Sequence, residues 1–182
     1  MDRRISTALA SLDLSALDAV EVSGSAHRGR PWRSYTGLEY PEFDLLRPHD
    51  VGRFDVVICE QVLEHVTDPL TAIGNLARLG RPGALVLITT PFLIRVHPQP
   101  IDFWRFTPDG LRALIEAQGL TVTDVGSWGN KWCVLANHGA WRPYLWRHRV
   151  LSRWTLRDDA ASPQMVWAFA RVPNADAGQG ET

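Results

Sequence analysis

The chain reads as an α/β domain in which helices cover both faces of a mostly parallel sheet. Short β-branched or apolar runs alternate with stretches of helical period, which is how such a sheet is written. Two of those runs are apolar almost throughout, the mark of strands buried on both faces. A length of 182 residues, 45% hydrophobic and 21% charged, suits one domain that buries roughly two thirds of its unfolded surface.

The elements follow in chain order. Residues 18–22 (DAVEV) and 35–39 (YTGLE) are strands bounded by charge or glycine. Residues 54–59 (FDVVIC) and 84–90 (ALVLITT) are the near-continuous apolar pair and belong at the sheet centre. Between them Asp68 and Pro69 supply a cap and a first-turn proline, Leu70, Ile73 and Leu76 recur every third residue, and Gly80, Pro82 and Gly83 end the pattern. Thr107 and Pro108 open a second helix with the stripe Leu111, Leu114 and Ile115, and Gly119 stands where a left-handed closing residue belongs. Residues 120–125 and 164–171 (QMVWAFAR) resume strand character and are expected to form an edge pair interrupted by a long excursion. That excursion, 127–163, holds Trp128, Trp132, Trp141, Trp146 and Trp154, and its length predicts an insertion or lid. The single domain spans 1–172, and 173–182 are expected to be a flexible tail.

Composition excludes several roles. A net charge of −1 provides no cationic field for a phosphate polymer, so nucleic acid is not an expected partner. The apolar run Ala84 to Ile88 is far short of the roughly 20 residues of a membrane span, and no membrane partner is expected. Asp13 interrupts the apolar part of the N-terminal stretch, which disfavours a secretory signal. Cys59 and Cys133 lack metal-ligand or CxxC spacing and read as reduced thiols of a cytoplasmic protein.

In an open α/β sheet ligands bind beyond the carboxyl ends of the strands, so the residues just after each strand are the candidates. After the first strand come Glu21, Val22, Ser23, Gly24 and Ser25, small residues that let backbone approach a ligand or merely make a tight turn. Glu39, ending the second, suits the paired hydroxyls of a ribose or is a plain surface glutamate. Cys59, Glu60 and Gln61 end the third and lead into VLEHV. Thr89, Thr90, Pro91 and Phe92 end the fourth and introduce His97, Asp102, Trp104 and Arg105.

The segment FDVVICEQVLEHVTDPLTAIGNLARLGRPGALVLITTPF, followed by HPQPIDFWRFTPDGLRALIEAQGL, resembles the class I S-adenosylmethionine-dependent methyltransferases, specifically the small type 11 group. The likeness runs from about Ala19 to Val125 and returns at QMVWAFAR. It implies a Rossmann-like, seven-stranded sheet whose last strand is antiparallel, and S-adenosyl-L-methionine as cofactor. By the resemblance Glu21 begins the glycine motif, with Ser23 and Ser25 where glycines are usual and Gly24 between them. Glu39 takes both ribose hydroxyls, and Cys59, Glu60 and Gln61 line the methionine part and face the transferred methyl.

The chain also departs from that pattern. Only ten residues separate Gly24 from Tyr35, too few for the first crossover helix, which is expected to be vestigial or replaced by a loop. The adenine segment is compressed, leaving Asp44, Leu45 and Leu46 as stand-ins. No G-x-G-x-x-G follows the first strand, which argues against a dinucleotide oxidoreductase.

His97 and Asp102 are the candidate base pair because their segment overhangs the methyl site and histidine titrates near working pH; His65 is the second choice. A structural role for each is the competing reading. Some relatives that methylate hydroxyls bind a divalent metal through E-x-x-E-H. Here Gln61 replaces the first acid, and Glu64 with His65 are two ligands only, so no metal is expected. The resemblance implies methyl transfer to an oxygen or nitrogen of a small molecule, in specialised metabolism. The alternatives are a degenerate, non-catalytic binding or regulatory protein and, third, a protein or RNA methyltransferase. Oligomeric state is not legible.

Overall fold

The computed structural model describes residues 2–98, 100–139 and 157–174. Four helices, α1 (Asp2–Ala10), α2 (Pro69–Leu79), α3 (Pro108–Ala117) and α4 (Lys131–Gly139), alternate with six strands. The strands are β1 (Asp18–Val22), β2 (Ser34–Leu38), β3 (Phe54–Glu60), β4 (Gly80–Pro91), β5 (Thr121–Trp128) and β6 (Met165–Arg171). They form one sheet in the order β2-β1-β3-β4-β6-β5. The first four are mutually parallel, and β6 runs antiparallel between β4 and β5. Among the described residues the sheet has six strands rather than seven: between β2 and β3 the chain runs through turns at 39–53 and adds no outer strand.

The sheet is a two-sided core whose alternation is read strand by strand. Val20, Val57, Cys59, Val86, Ile88, Val166, Ala168 and Ala170 face the layer of α2 and α3. Ala19, Val56, Ile58, Leu85, Leu87, Trp167 and Phe169 face the other side, where Ile5 and Leu9 of α1 cover them. Period-two alternation of apolar residues on both faces is what a central sheet requires, and it fixes the register, since a one-residue slip would exchange the two layers.

The helix starts form as their sequences direct. Asp68 Oδ1 accepts from the backbone N–H groups of Leu70 and Thr71, both at 3.1 Å, and Thr107 Oγ accepts from Gly110 N–H at 3.0 Å. Gly119 has φ +77°, the left-handed conformation expected after α3. The α2 stripe differs in one residue: Leu70 is 39% exposed, and the buried face is Ala72, Ile73, Leu76 and Leu79. Two helices escaped the sequence reading, α1 and α4. The first crossover is a loop of turns over 23–33, as its shortness demanded. Of the excursion, 140–156, with Trp141, Trp146 and Trp154, lies outside the described residues, as does 175–182 of the tail.

The parallel strands all end at one edge. Strand order reverses beside β1, which connects outward to β2 while β3 lies on its other flank, and the crevice at such a switch point is where α/β sheets hold ligands.

Candidate functional site

Two groups of polar side chains stand at that edge, one after β1 and β3, the other between the turn after β3 and the loop after β4. The first is built around Glu21. Its side chain turns up into the loop that follows, where Oε1 accepts from Ala26 N–H (3.0 Å) and Oε2 from His27 N–H (3.0 Å) and the Tyr35 hydroxyl (2.6 Å). Burial and this bond to Glu21 push the Tyr35 phenol far above its usual range, so it stays a donor. Gly24 closes over the same carboxylate: a Cβ there would stand 2.9 Å from Glu21 Oε1, so the position has no room for a side chain.

His27, 1% exposed, carries the network onward. Arg30 Nε donates to its Nδ1 (3.0 Å), which assigns the ring proton to Nε2, and Nε2 lies 3.3 Å from Glu60 Oε2. Arg30 also donates to Ser6 Oγ of α1 at 2.8 Å. The sequence reading missed His27 and Tyr35. Nothing local flags them; they matter because the loop returns them to Glu21.

Among the described residues Ser23 and Gln61, immediately after β1 and β3, are the non-glycine residues with positive φ, +53° and +56°. L-residues enter this region sparingly, and such positions cluster where backbone is shaped for function. Ser23 N–H donates to Leu38 O at 2.7 Å, which draws the loop toward the end of β2. Ser23 and Ser25 are exposed, as is Glu39 just beyond β2. Glu60 keeps one buried oxygen, Oε1, without a hydrogen-bond partner. Gln61 Nε2 lies 3.3 Å from Thr89 Oγ. Cys59 stands apart from its neighbours: its side chain is fully buried in the α2 layer, and burial pushes its thiol far above the ordinary range. Of the adenine stand-ins, Leu45 is buried in the same layer, and Asp44 accepts from Leu46 N–H at 3.0 Å.

The second group joins the turn at Leu63–His65 to the loop at 92–106. Phe103 N–H donates to Glu64 O (2.7 Å), Trp104 Nε1–H to Val66 O (2.9 Å), and His65 Nδ1–H to Ile101 O (2.6 Å). These bonds bring His65 and His97 together, their ring centroids 5.0 Å apart although 32 positions separate them. Asp102 lies against His97, accepting from its backbone N–H (3.0 Å) and its Nδ1–H (2.7 Å). The Arg105 guanidinium grips both Asp102 oxygens and holds that carboxyl well below the usual carboxylate range. All three residues proposed for the acceptor side therefore converge. With Nδ1–H committed, His97 presents Nε2 as a lone pair, the form a proton acceptor requires.

Glu64 lies beside them, 0% exposed, and neither of its carboxyl oxygens has a hydrogen-bond partner. Burial, with the charge of Asp102 adding, pushes its pKa up to about 7. Two sets of possible metal ligands result, Glu21 with His27 and Glu60, and Glu64 with His65 and His97. In the first, Glu21 already holds three donors and both His27 nitrogens are engaged. It is a structural network.

The parallel order with an antiparallel β6, the carboxylate-capped glycine loop after β1 and the acid beyond β2 together define the class I S-adenosylmethionine-dependent methyltransferase architecture. The chain belongs to the methyltransferase-domain family, whose model matches residues 19–145. The ubiquinone biosynthesis O-methyltransferase of Azotobacter vinelandii is 29% identical over 137 residues, covering 65% of this chain and 59% of that protein. The chain thus spans less than two thirds of that relative's length. Among solved structures, the N-methyltransferase NodS from Bradyrhizobium japonicum WM9 in complex with S-adenosyl-L-homocysteine superposes with a TM-score of 0.54 at 14% identity, covering 95% of this chain and 88% of that one. The [4+2]-cyclase SpnF gives 0.60 at 15% identity, covering 96% and 81%. At such identities the likeness shows the fold; function has to be argued from the site.

Proposed function

We propose that this chain transfers the methyl group of S-adenosylmethionine to a hydroxyl oxygen of a small molecule. The observation that carries the reading is the His97–Asp102–Arg105 relay at the carboxyl edge of β4, with Nε2 of His97 left as an acceptor. An amine attacks through its own lone pair, whereas a hydroxyl is a poor nucleophile until its proton leaves, so a fixed base favours oxygen. The O-methyltransferase relative supports the same choice.

The residues present fit the cofactor. The orphaned Glu60 Oε1 suits an ammonium, and exposed Glu39 suits a vicinal diol. When bound, S-adenosylmethionine supplies an electrophilic methyl on a positive sulfur. The protein's part is alignment and proton removal: the hydroxyl proton would pass to His97 Nε2 as the carbon–oxygen bond forms and the carbon–sulfur bond breaks, leaving the demethylated cofactor as a neutral thioether. Asp102 fixes the ring and stabilises its charged form. Positioning of this kind lowers barriers by about 7 to 11 kcal/mol in favourable cases. His65 flanks the acceptor, and a net charge of −1 supports a small molecule over nucleic acid.

Calorimetric titration with S-adenosylmethionine and its demethylated product tests the first half. Saturable binding is expected, weakened in Glu39→Ala by about 1.5 to 3 kcal/mol through loss of charge-assisted hydrogen bonds. No binding by the unaltered chain would overturn the enzyme in favour of a binding protein on the same fold. Incubation with the cofactor and an extract of specialised metabolites should yield a product heavier by one methylene unit. Undiminished turnover in His97→Ala would remove the base.

A further inference from the structure

The cofactor side contains a buried histidine that the chain secures at every polar atom. The His27 backbone N–H donates to Glu21 Oε2 (3.0 Å), and its carbonyl accepts from Trp32 Nε1–H (2.9 Å) and Arg30 N–H (3.2 Å). In the ring, Nδ1 accepts from Arg30 Nε–H (3.0 Å) and Nε2 faces Glu60 Oε2 (3.3 Å). A buried apolar side chain would fill this place more cheaply, because a polar ring gives up hydration that its own bonds only repay. Such complete restraint fixes where the ring lies and which nitrogen carries its proton.

That proton has one place to go. A guanidinium only donates, so Nδ1 is the lone pair and Nε2–H is the donor toward Glu60. Arg30 behind the ring polarises it and strengthens that donor. Arg30 is anchored in turn, its other arm donating to Ser6 Oγ of α1 at 2.8 Å. Glu60 is also fixed through its backbone: Gln61 takes φ +56° and gives its N–H to Thr89 O (2.9 Å), which ends β3 with Glu60 at the rim. One carboxylate oxygen of Glu60 therefore has an assigned donor, and the other, Oε1, has none.

We propose that His27, oriented by Arg30, is a positioning residue for cofactor binding: it holds one oxygen of Glu60 so that the other is kept for the α-ammonium of the methionine part. The inference rests on the methyl-transfer reading and adds to it two residues that need not touch the ligand. A glutamate left to itself would lose rotamer freedom on each binding event; with Oε2 held, that ordering is complete beforehand. The effect is confined to the amino-acid end. His27 and Arg30 should therefore matter for ligands that carry an ammonium and not for those that lack one.

Calorimetric titration of the full chain with S-adenosylhomocysteine and with methylthioadenosine, which shares the nucleoside and thioether but has no ammonium, isolates this effect. His27→Phe keeps a ring without a donor and should weaken the first ligand by about tenfold or more while changing the second by less than about twofold. His27→Gln, whose amide can donate from the same place, should retain most of the affinity, and Arg30→Met should fall between. Equal losses for both ligands would make His27 a general brace of the crevice and overturn the proposal, as would undiminished S-adenosylhomocysteine binding by His27→Phe. Should that variant fail to fold, nitrogen magnetic resonance of the histidine rings in the unaltered chain decides. An Nε2–H tautomer of His27 whose signal moves with S-adenosylhomocysteine and not with methylthioadenosine supports the relay; an Nδ1–H tautomer, or the same response to both ligands, overturns it. Failure of the methyl-transfer reading looks different: the unaltered chain then binds neither ligand, and the relay falls with it.

Discussion

Glu21 and Glu64 are two buried glutamates at the same edge of one sheet, 1% and 0% exposed, and their surroundings are opposite. Glu21 accepts two backbone N–H groups and a phenol; neither Glu64 oxygen has a hydrogen-bond partner, and His65 Nε2 stands 3.7 Å from its Oε1. The difference separates a carboxylate that builds the fold from one whose burial pushes its pKa up to about 7. A paired buried charge organises its donors and becomes costly to remove. An unpaired one lowers stability.

The sharpest way to break this comparison is to delete each acid. Glu21→Ala strands the Ala26 and His27 amides and the Tyr35 hydroxyl, and urea unfolding should show a loss of about 3 to 5 kcal/mol. Glu64→Met, which fills the same space without a polar group, should leave the midpoint unchanged or raise stability by up to about 2 kcal/mol. An equal loss in both variants would erase the distinction between them. Capping offers a smaller calibration on the same helix layer: Asp68→Ala removes two N–H acceptors from α2 and should cost about 1 kcal/mol, without any change in cofactor affinity.

The smallest effect lies at the opposite edge of the sheet, where charges are paired but open to solvent. Arg81 donates to Asp18 (2.9 Å) and pairs with Asp55 (2.7 Å), and Arg33 joins both acids. Arg33 first, then Ser34 and Arg81, hold the Asp18 carboxyl well below its ordinary range; at Asp55 partial burial raises the carboxyl, but the bonds from Arg81 and Asp18 N–H and the charges of Arg81 and Arg33 together lower it. A carboxyl depressed in the folded state contributes stability that is present above the unfolded value, near 3.9, and lost as pH falls through the folded one. Arg81→Ala should therefore lower neutral-pH stability slightly and flatten the decline in melting temperature below about pH 4, where the two chains converge.

How much of this was legible beforehand depends on range. Strands β1, β3, β4 and β6 announce themselves by local alternation or apolar runs, and α2 and α3 by caps and glycines a few residues apart. Helix α1 is hard to read because Ile5 and Leu9 alone mark its buried face among the described residues, and α4 because it falls inside the tryptophan-rich excursion, where Trp132 is one of five. On the acceptor side the sequence singles out His65, His97 and Asp102 separately and weighs Glu64 only as one of two metal ligands, whereas its complete burial is a property of the fold. On the cofactor side Glu21 was identified but assigned to the ligand; the structure commits both its oxygens to the protein. His27 stayed invisible because its partners come from positions 21, 30 and 60, a grouping that exists only after β1 and β3 pair.

The placement of β6 carries a consequence for biogenesis. Strand β4 bonds to β3 on one flank and to β6 on the other, and β5 is bonded to β6. A ribosome must therefore emit everything through Arg171 before the sheet's second half can assemble. Until then β4 shows a long, apolar, unpaired edge, the kind of surface that invites wrong partners. Nascent chains stalled ahead of Met165 should depend on chaperones in a way that the finished molecule does not.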